Sequence, residues 1–193
     1  MFLSEPDSPD AEAFLERERA GSGYVMDLER AWAWRPEVAD AFAALRKQLT
    51  DRSALQPREV ALLVCATARA RGDSCCALAW GTRLAGIAGP EFAARVLRGE
   101  SGETLSRRER ALQQWAELVV RDPNSATPGH VGELRAAGLT DREIFEATAF
   151  VGLRLAFSTI NDALGAPPDA ELVAAAPAPV RAAVTYGRRP AES

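Results

Sequence analysis

Apolar residues recur along most of this chain at intervals of three and four, the period of an amphipathic helix, and no stretch alternates as a half-buried strand would. After Pro36, the residues Val38, Phe42, Leu45 and Leu49 form such a stripe, which predicts a helix whose apolar side needs a partner. Leu55-Gln56-Pro57-Arg58-Glu59 opens a more continuous apolar helix through Arg71. Gly72-Asp73-Ser74 breaks it, and a further helix runs from Cys75 to about Ala88. Asp73 or Ser74 can cap that helix, since their side-chain oxygens accept from its otherwise unpaired N–H groups. The pair is therefore a helical hairpin with a very short turn.

Shorter helical segments follow at Pro90 to Leu97 and, past a polar loop at Gly99 to Gly102, at Ser106 to Arg121, where Leu112, Trp115, Leu118 and Val119 share a face. A helix from Thr127 to Ala137 is stopped by Gly138. Thr140 with Glu143 three residues on makes a capping box. The helix it opens is apolar on several sides, through Ile144, Phe145, Ala149, Val151, Leu153, Leu155, Phe157 and Ile160, which predicts the most buried helix of the fold. It ends near Gly165, and Asp169 to Tyr186 carries a short helix. Residues 1 to 22, rich in Asp, Glu, Ser and Pro, read as a loose arm that wraps the body or a neighbour. Residues 187 to 193 read as a tail that is exposed or docked on a neighbour. The helical domain between them spans 23 to 186.

Composition supports an all-α reading, with alanine about a fifth of the chain, many Leu, Glu and Arg, and few β-branched runs. At 193 residues and 47% hydrophobic the chain fits one domain with a core of useful size. The net charge of -4 is spread rather than blocked, so neither nucleic acid nor an acidic membrane surface is expected as a partner. No run reaches the roughly 18 apolar residues of a membrane span, and the N-terminal segment is acidic where a signal peptide is basic then apolar. A cytoplasmic protein is the expectation. Three Cys and one His would all be needed for a single zinc site, and they lack paired ligand spacing. No metal and no organic cofactor is expected.

Chemistry concentrates at Cys75-Cys76, in the first turn of a helix whose N–H groups and dipole favour a thiolate. Arg69 and Arg71 would add to that potential and Asp73 would oppose it. Adjacent helix residues point about 100° apart, so the two sulfurs are not expected to face one pocket. Cys65, among Leu62, Leu63 and Val64, reads as packing. His130, at a polar helix start, reads as a surface residue. Trp32 and Trp34 read first as core or subunit-contact anchors and second as pocket lining. Arg154 lies within an apolar helix, where an unpaired charge is costly, so it should meet Asp73, Glu59, Asp162 or an anionic ligand. Asn161 and Asp162 should serve a helix crossing.

The order of segments Leu-Gln-Pro-Arg-Glu, Gly-Asp-Ser-Cys-Cys-Ala-Leu-Ala-Trp-Gly, Ala-Ala-Gly-Leu-Thr-Asp-Arg-Glu-Ile and Asn161-Asp-Ala-Leu-Gly, then Pro167-Pro168, resembles the carboxymuconolactone decarboxylase family over about residues 24 to 186. More narrowly it resembles the alkylhydroperoxidase D-like, peroxidase-related branch. The resemblance implies an all-α bundle built around the helical hairpin and a long buried helix, assembled as a dimer, trimer or hexamer. It also implies a peroxide-reducing site made of a Glu, two Cys and a His.

Aligned on Gly72, the second Cys of that site falls on Cys76. The first falls on Asp73, the His on Trp80 and the Glu on Ala61, with Glu59 about 200° around the helix. Two readings stay open. In one, Cys76 reduces a peroxide and is resolved by an external thiol or by Cys75, with Asp73, Trp80, Glu59 and Arg154 in support. In the other, the fold is a catalytically inactive scaffold that binds a small apolar molecule or another protein beside Trp80. Decarboxylation is not expected, because it needs a general acid or base where Ala61 and Trp80 stand.

Overall fold

The computed structural model describes residues 1–100 and 104–190, and among them every regular element is helical. In chain order these are α1 (Pro9–Ser22), α2 (Asp27–Trp32), α3 (Pro36–Asp51), α4 (Pro57–Arg71), α5 (Ser74–Ala88), α6 (Pro90–Arg98), α7 (Arg107–Arg121), a single 3₁₀ turn (Pro123–Ser125), α8 (Pro128–Ala136), α9 (Asp141–Ala163), α10 (Ala170–Ala175) and α11 (Ala178–Ala183). No described helix is long and apolar enough to cross a membrane.

The centre of the bundle is α4, buried without interruption from Glu59 to Ala68. Helices α5, α7 and α9 pack around it, and α6 and α11 close the far side of α5. This corrects the expectation that α9 is the most buried helix. Helix α9 buries Ile144, Ala147, Phe150 and Val151 but leaves Phe145 71% exposed and Ile160 39% exposed. Its apolar residues spread around the helix, and its neighbours α3, α4, α7 and α8 do not cover Phe145 or Ile160. Leu62, Leu63, Leu84, Leu97 and Leu112 are fully enclosed in the main core, each worth about 1.5–3 kcal/mol of transfer from water.

The α4–α5 hairpin is specified locally. Gly72 takes the left-handed conformation, φ 78°, that ends α4. Its N–H donates to the Arg69 carbonyl at 3.1 Å, and the Asp73 N–H reaches back to the Ala68 carbonyl at 2.9 Å. That pairing satisfies carbonyls the helix end would otherwise leave open. Asp73 then caps α5 by accepting the Cys76 N–H at 2.8 Å.

The arm read as loose contains α1. Ser8 caps it, Pro9 occupies its first turn, and Ala11 and Phe14 are buried in a satellite core with Trp32 and Ala33. The many charges of α1 lie outward, and Ala11 and Phe14, with Leu15 packed beside them, suffice to dock it. The apolar stripe of α3 divides: Phe42 joins the satellite core and Leu49 reaches the main one, whereas Val38 is 43% exposed and Leu45 50% exposed. The C-terminal segment docks on its own chain through residue 188. Ser74 Oγ donates to the Arg188 carbonyl at 2.7 Å and Arg188 Nη2 to the Asp162 carbonyl at 2.8 Å. Gly187 passes so close to the hairpin turn that a Cβ there would stand 2.5 Å from the Gly72 carbonyl oxygen. The end of the tail beyond residue 190, and part of the loop expected at Gly99 to Gly102, lie outside the described residues.

Candidate functional site

A cavity of about 310 Å³ opens between the satellite core and the first turns of α5. On the α5 side it is bordered by Asp73, Cys75, Cys76, Ala79 and Trp80. Cys75, Cys76, Ala79 and Trp80 recur at one and four residues, so they form one face about 140° wide. Both cysteines therefore border the same cavity, contrary to the expectation that two adjacent residues would diverge. Cys76 is 7% exposed and Cys75 is half-buried.

The opposite wall is aromatic. Trp32, Phe42 and Phe157 pack together with ring centroids 5.4–6.0 Å apart. Trp32 is anchored across the cavity rim by donating its indole N–H to Asn161 Oδ1 at 2.9 Å, the helix-crossing role expected of Asn161. Trp34 does not line the cavity; it is largely exposed and donates to the Ser4 carbonyl. Phe14 and Glu18 of α1 and Leu172 of α10 complete the enclosure.

Arg154 meets no carboxylate among the described residues, which corrects the ion pair expected from its apolar helix. Its guanidinium carbon sits 4.7 Å from the Trp80 ring centroid and 5.9 Å from that of Phe157. Aromatic faces attract a cation and so replace part of what an acid would supply. The same guanidinium stands beside Cys76, where its positive charge favours the thiolate. Arg46, one helical turn after Phe42, is a second cation in the wall, 4.9 Å from the Phe157 centroid and 5.6 Å from that of Phe42.

Electrostatics at the sulfurs are dominated by desolvation. Burial pushes the Cys76 thiol up to about 12, with Asp73 adding to the rise and Arg154 and Arg46 opposing it. Burial and then Asp73 also push Cys75 up. Cys65 is fully enclosed and raised for the same reason, in keeping with a packing residue. Burial thus favours the protonated thiols, and the cationic surroundings of Cys76 only moderate that.

Glu59 is not part of this site. Its Oε2 accepts the Gln56 N–H at 2.9 Å as a cap of α4, and its other oxygen pairs with Arg108, which also holds Glu143. Asp73 is fully engaged, with Oδ1 on the Cys76 N–H and Oδ2 accepting the Ser158 hydroxyl. His130 caps α8 with Thr127, away from the cavity. Among the described residues no three His, Cys, Asp or Glu gather as a metal site would require. Phe42, Arg46 and Phe157 are among the cavity residues that sequence reading missed. The spacing of Phe42 and Arg46, four apart on one stripe, is the signal that points to them.

No family model matches the chain and no curated protein matches it in sequence. Solved structures do. One is the alkylhydroperoxidase AhpD core of an uncharacterized peroxidase-related protein from Ralstonia eutropha JMP134, with TM-score 0.74 and 21% identity over 89% of this chain and 93% of that one. A second, an uncharacterized peroxidase-related protein from Silicibacter sp. TM1040, has TM-score 0.78 at 21% identity over the same shares. The debrominase Bmp8 matches with TM-score 0.70 at 16% identity over 94% of each chain. A cysteine-to-alanine variant of that debrominase, in complex with 2,3,4-tribromopyrrole, matches with TM-score 0.68. This chain has the all-α, AhpD-like fold that these proteins share.

Proposed function

We propose that this chain is a thiol-dependent oxidoreductase of the peroxidase type, in which Cys76 reduces a peroxide held in the aromatic cavity. One observation carries the reading: the Cys76 sulfur borders the cavity beside Arg154, a guanidinium that no described carboxylate engages. In the reaction the ionised sulfur attacks a peroxide oxygen, an S–O bond forms and the O–O bond breaks. Two electrons pass from sulfur to the peroxide, and the leaving oxygen takes a proton and departs as an alcohol. The sulfenic acid left on Cys76 condenses with a second thiol, an external one or Cys75, to give a disulfide and water, and further thiol restores the reduced protein.

Arg154 supports two stages of this sequence. Its charge favours the thiolate over the thiol, and it stabilises negative charge developing on the departing oxygen. Trp80 walls the site and moves no proton. The aromatic lining suits an organic hydroperoxide better than hydrogen peroxide. The reading brings with it an external thiol reductant and a homo-oligomer, the latter checked by light scattering. The burial of Cys76 favours one second reading, in which the cavity holds a small organic molecule without turnover.

The experiment is consumption of cumene hydroperoxide by wild type, Cys76→Ser and Cys75→Ser, coupled to dithiothreitol, with intact-mass detection of sulfenic acid. Because a debrominase shares the fold, 2,3,4-tribromopyrrole is offered in parallel with release of bromide as the readout. Loss of peroxide turnover in Cys76→Ser alone supports external resolution, and loss in both variants supports resolution by Cys75. Absence of peroxide turnover in wild type overturns the peroxidase reading.

A further inference from the structure

Two guanidiniums of the cavity wall, Arg46 and Arg154, have no acidic partner among the described residues. Four carboxylates lie on its rim, and each is already engaged. Asp40 and Glu18 both hold Arg17, Glu29 accepts the Met26 N–H at 2.7 Å, and Asp73 bonds Cys76 and Ser158. Arg46 and Arg154 form no ion pair among the described residues, although both guanidinium carbons lie within 6 Å of the Phe157 ring centroid. Arg46 Nε is buried with no hydrogen-bond partner. Burial and the neighbouring charge of Arg154 both pull Arg46 down, so the two cations are held together against desolvation and mutual repulsion. Buried donors left unpaired cost free energy that a bound acceptor returns.

We infer that the cavity binds a planar aromatic anion, its negative group between Arg46 and Arg154 and its ring against the Trp32, Phe42 and Phe157 wall. The inference deepens the reading of this cavity as the working site by naming the chemical class of its ligand. A volume of about 310 Å³ lies at the small end of the range for organic-ligand pockets, about 300–1,000 Å³, and suits a compact molecule of one or two rings. The ring wall supplies apolar and quadrupolar contact, and the guanidiniums supply planar donors matched to a carboxylate or an acidic hydroxyl. In that pose the ligand lies next to Cys76 and brings whatever reducible group it carries to the sulfur.

The test is calorimetric titration of the full chain with 2-naphthoate and with its neutral counterpart 2-naphthamide. The acid is expected to bind at least about tenfold more tightly than the amide. Arg46→Gln and Arg154→Gln should each bring the two affinities close together, and Arg46→Lys should retain most of the preference. Equal binding of acid and amide by wild type, no binding of either, or an undiminished preference in both glutamine variants overturns the inference. Peroxide turnover measured on the same preparation separates the two proposals. Acid-selective binding without turnover removes the peroxidase reading and leaves the ligand class, while turnover without acid selectivity does the reverse.

Discussion

Asp73, at the turn between α4 and α5, accepts the hydroxyl of Ser158 from α9, so the cap of the cysteine-bearing helix is tied to the helix that supplies Arg154. Asp73→Ala removes a cap worth about 1 kcal/mol. It also leaves the buried Ser158 hydroxyl without its acceptor, for about 1–3 kcal/mol more. Urea unfolding should show a loss of about 2–4 kcal/mol for Asp73→Ala and a smaller one for Ser158→Ala. Asp73→Asn keeps an acceptor at the cap while removing the charge that raises Cys76, so alkylation of Cys76 should quicken.

Arg154 makes the opposite contribution to the same sulfur. Arg154→Gln removes a charge that opposes burial and a cation from the Trp80 face. Iodoacetamide labelling of Cys76, followed by intact mass at pH 8.5, should slow by about tenfold, the equivalent of one unit in thiol acidity. Unchanged labelling would mean that the guanidinium does not act on the sulfur.

The pH dependence follows from the direction of the shift. The folded chain holds the Cys76 proton up to about 12, whereas an unfolded thiol releases it near ~8.5. Labelling of Cys76 should climb about tenfold per pH unit from 7 to 10 without a plateau. By linkage, this thiol stabilises the fold fully below about pH 8.5 and progressively less as pH rises toward 12. Thermal melts of wild type should therefore fall more steeply than those of Cys76→Ala between about pH 9 and 11. A labelling plateau below pH 9 would refute both statements.

Gly81 lies where α5 meets α6 and α11. A Cβ there would stand 2.7 Å from Leu97 Cδ1 and 2.8 Å from Val180 Cγ1. Leu97 ends in a flexible tip, but Val180 is β-branched and stiff. Gly81→Ala should cost about 1–3 kcal/mol in chemical unfolding. Val180→Ala combined with it should recover part of that loss.

The hairpin was legible because its determinants are local. Gly72 supplies the left-handed turn, Asp73 the cap, and the run Val60 to Ala68 the buried face. The capping boxes at Thr140 with Glu143 and at Ser106 with Glu109 follow the same logic. Helix α1 was missed because its charges outnumber the side chains that dock it, although Ser8-Pro9 is itself a helix-start signal. Arg154 was misjudged for another reason. A buried charge was expected to meet a carboxylate, and the sequence does not disclose that Trp80, Phe157 and the Cys76 sulfur converge on it instead. A wall assembled from α2, α3, α5 and α9 depends on tertiary placement that no single periodic stripe encodes.

The satellite core of Ala11, Phe14, Trp32 and Ala33 is separate from the core around α4. The outer wall of the cavity is therefore expected to open at a lower free energy than the frame that holds Cys76. Local opening of this kind sets its own free energy, below that of global unfolding. Two lifetimes should then separate. Weakening α4 should shorten the life of the fold, whereas Phe14→Ala should shorten the stay of a bound ligand and leave the melting of the main core in place. Amide exchange should display the same division, fast across α1 to α3 and slow across α4.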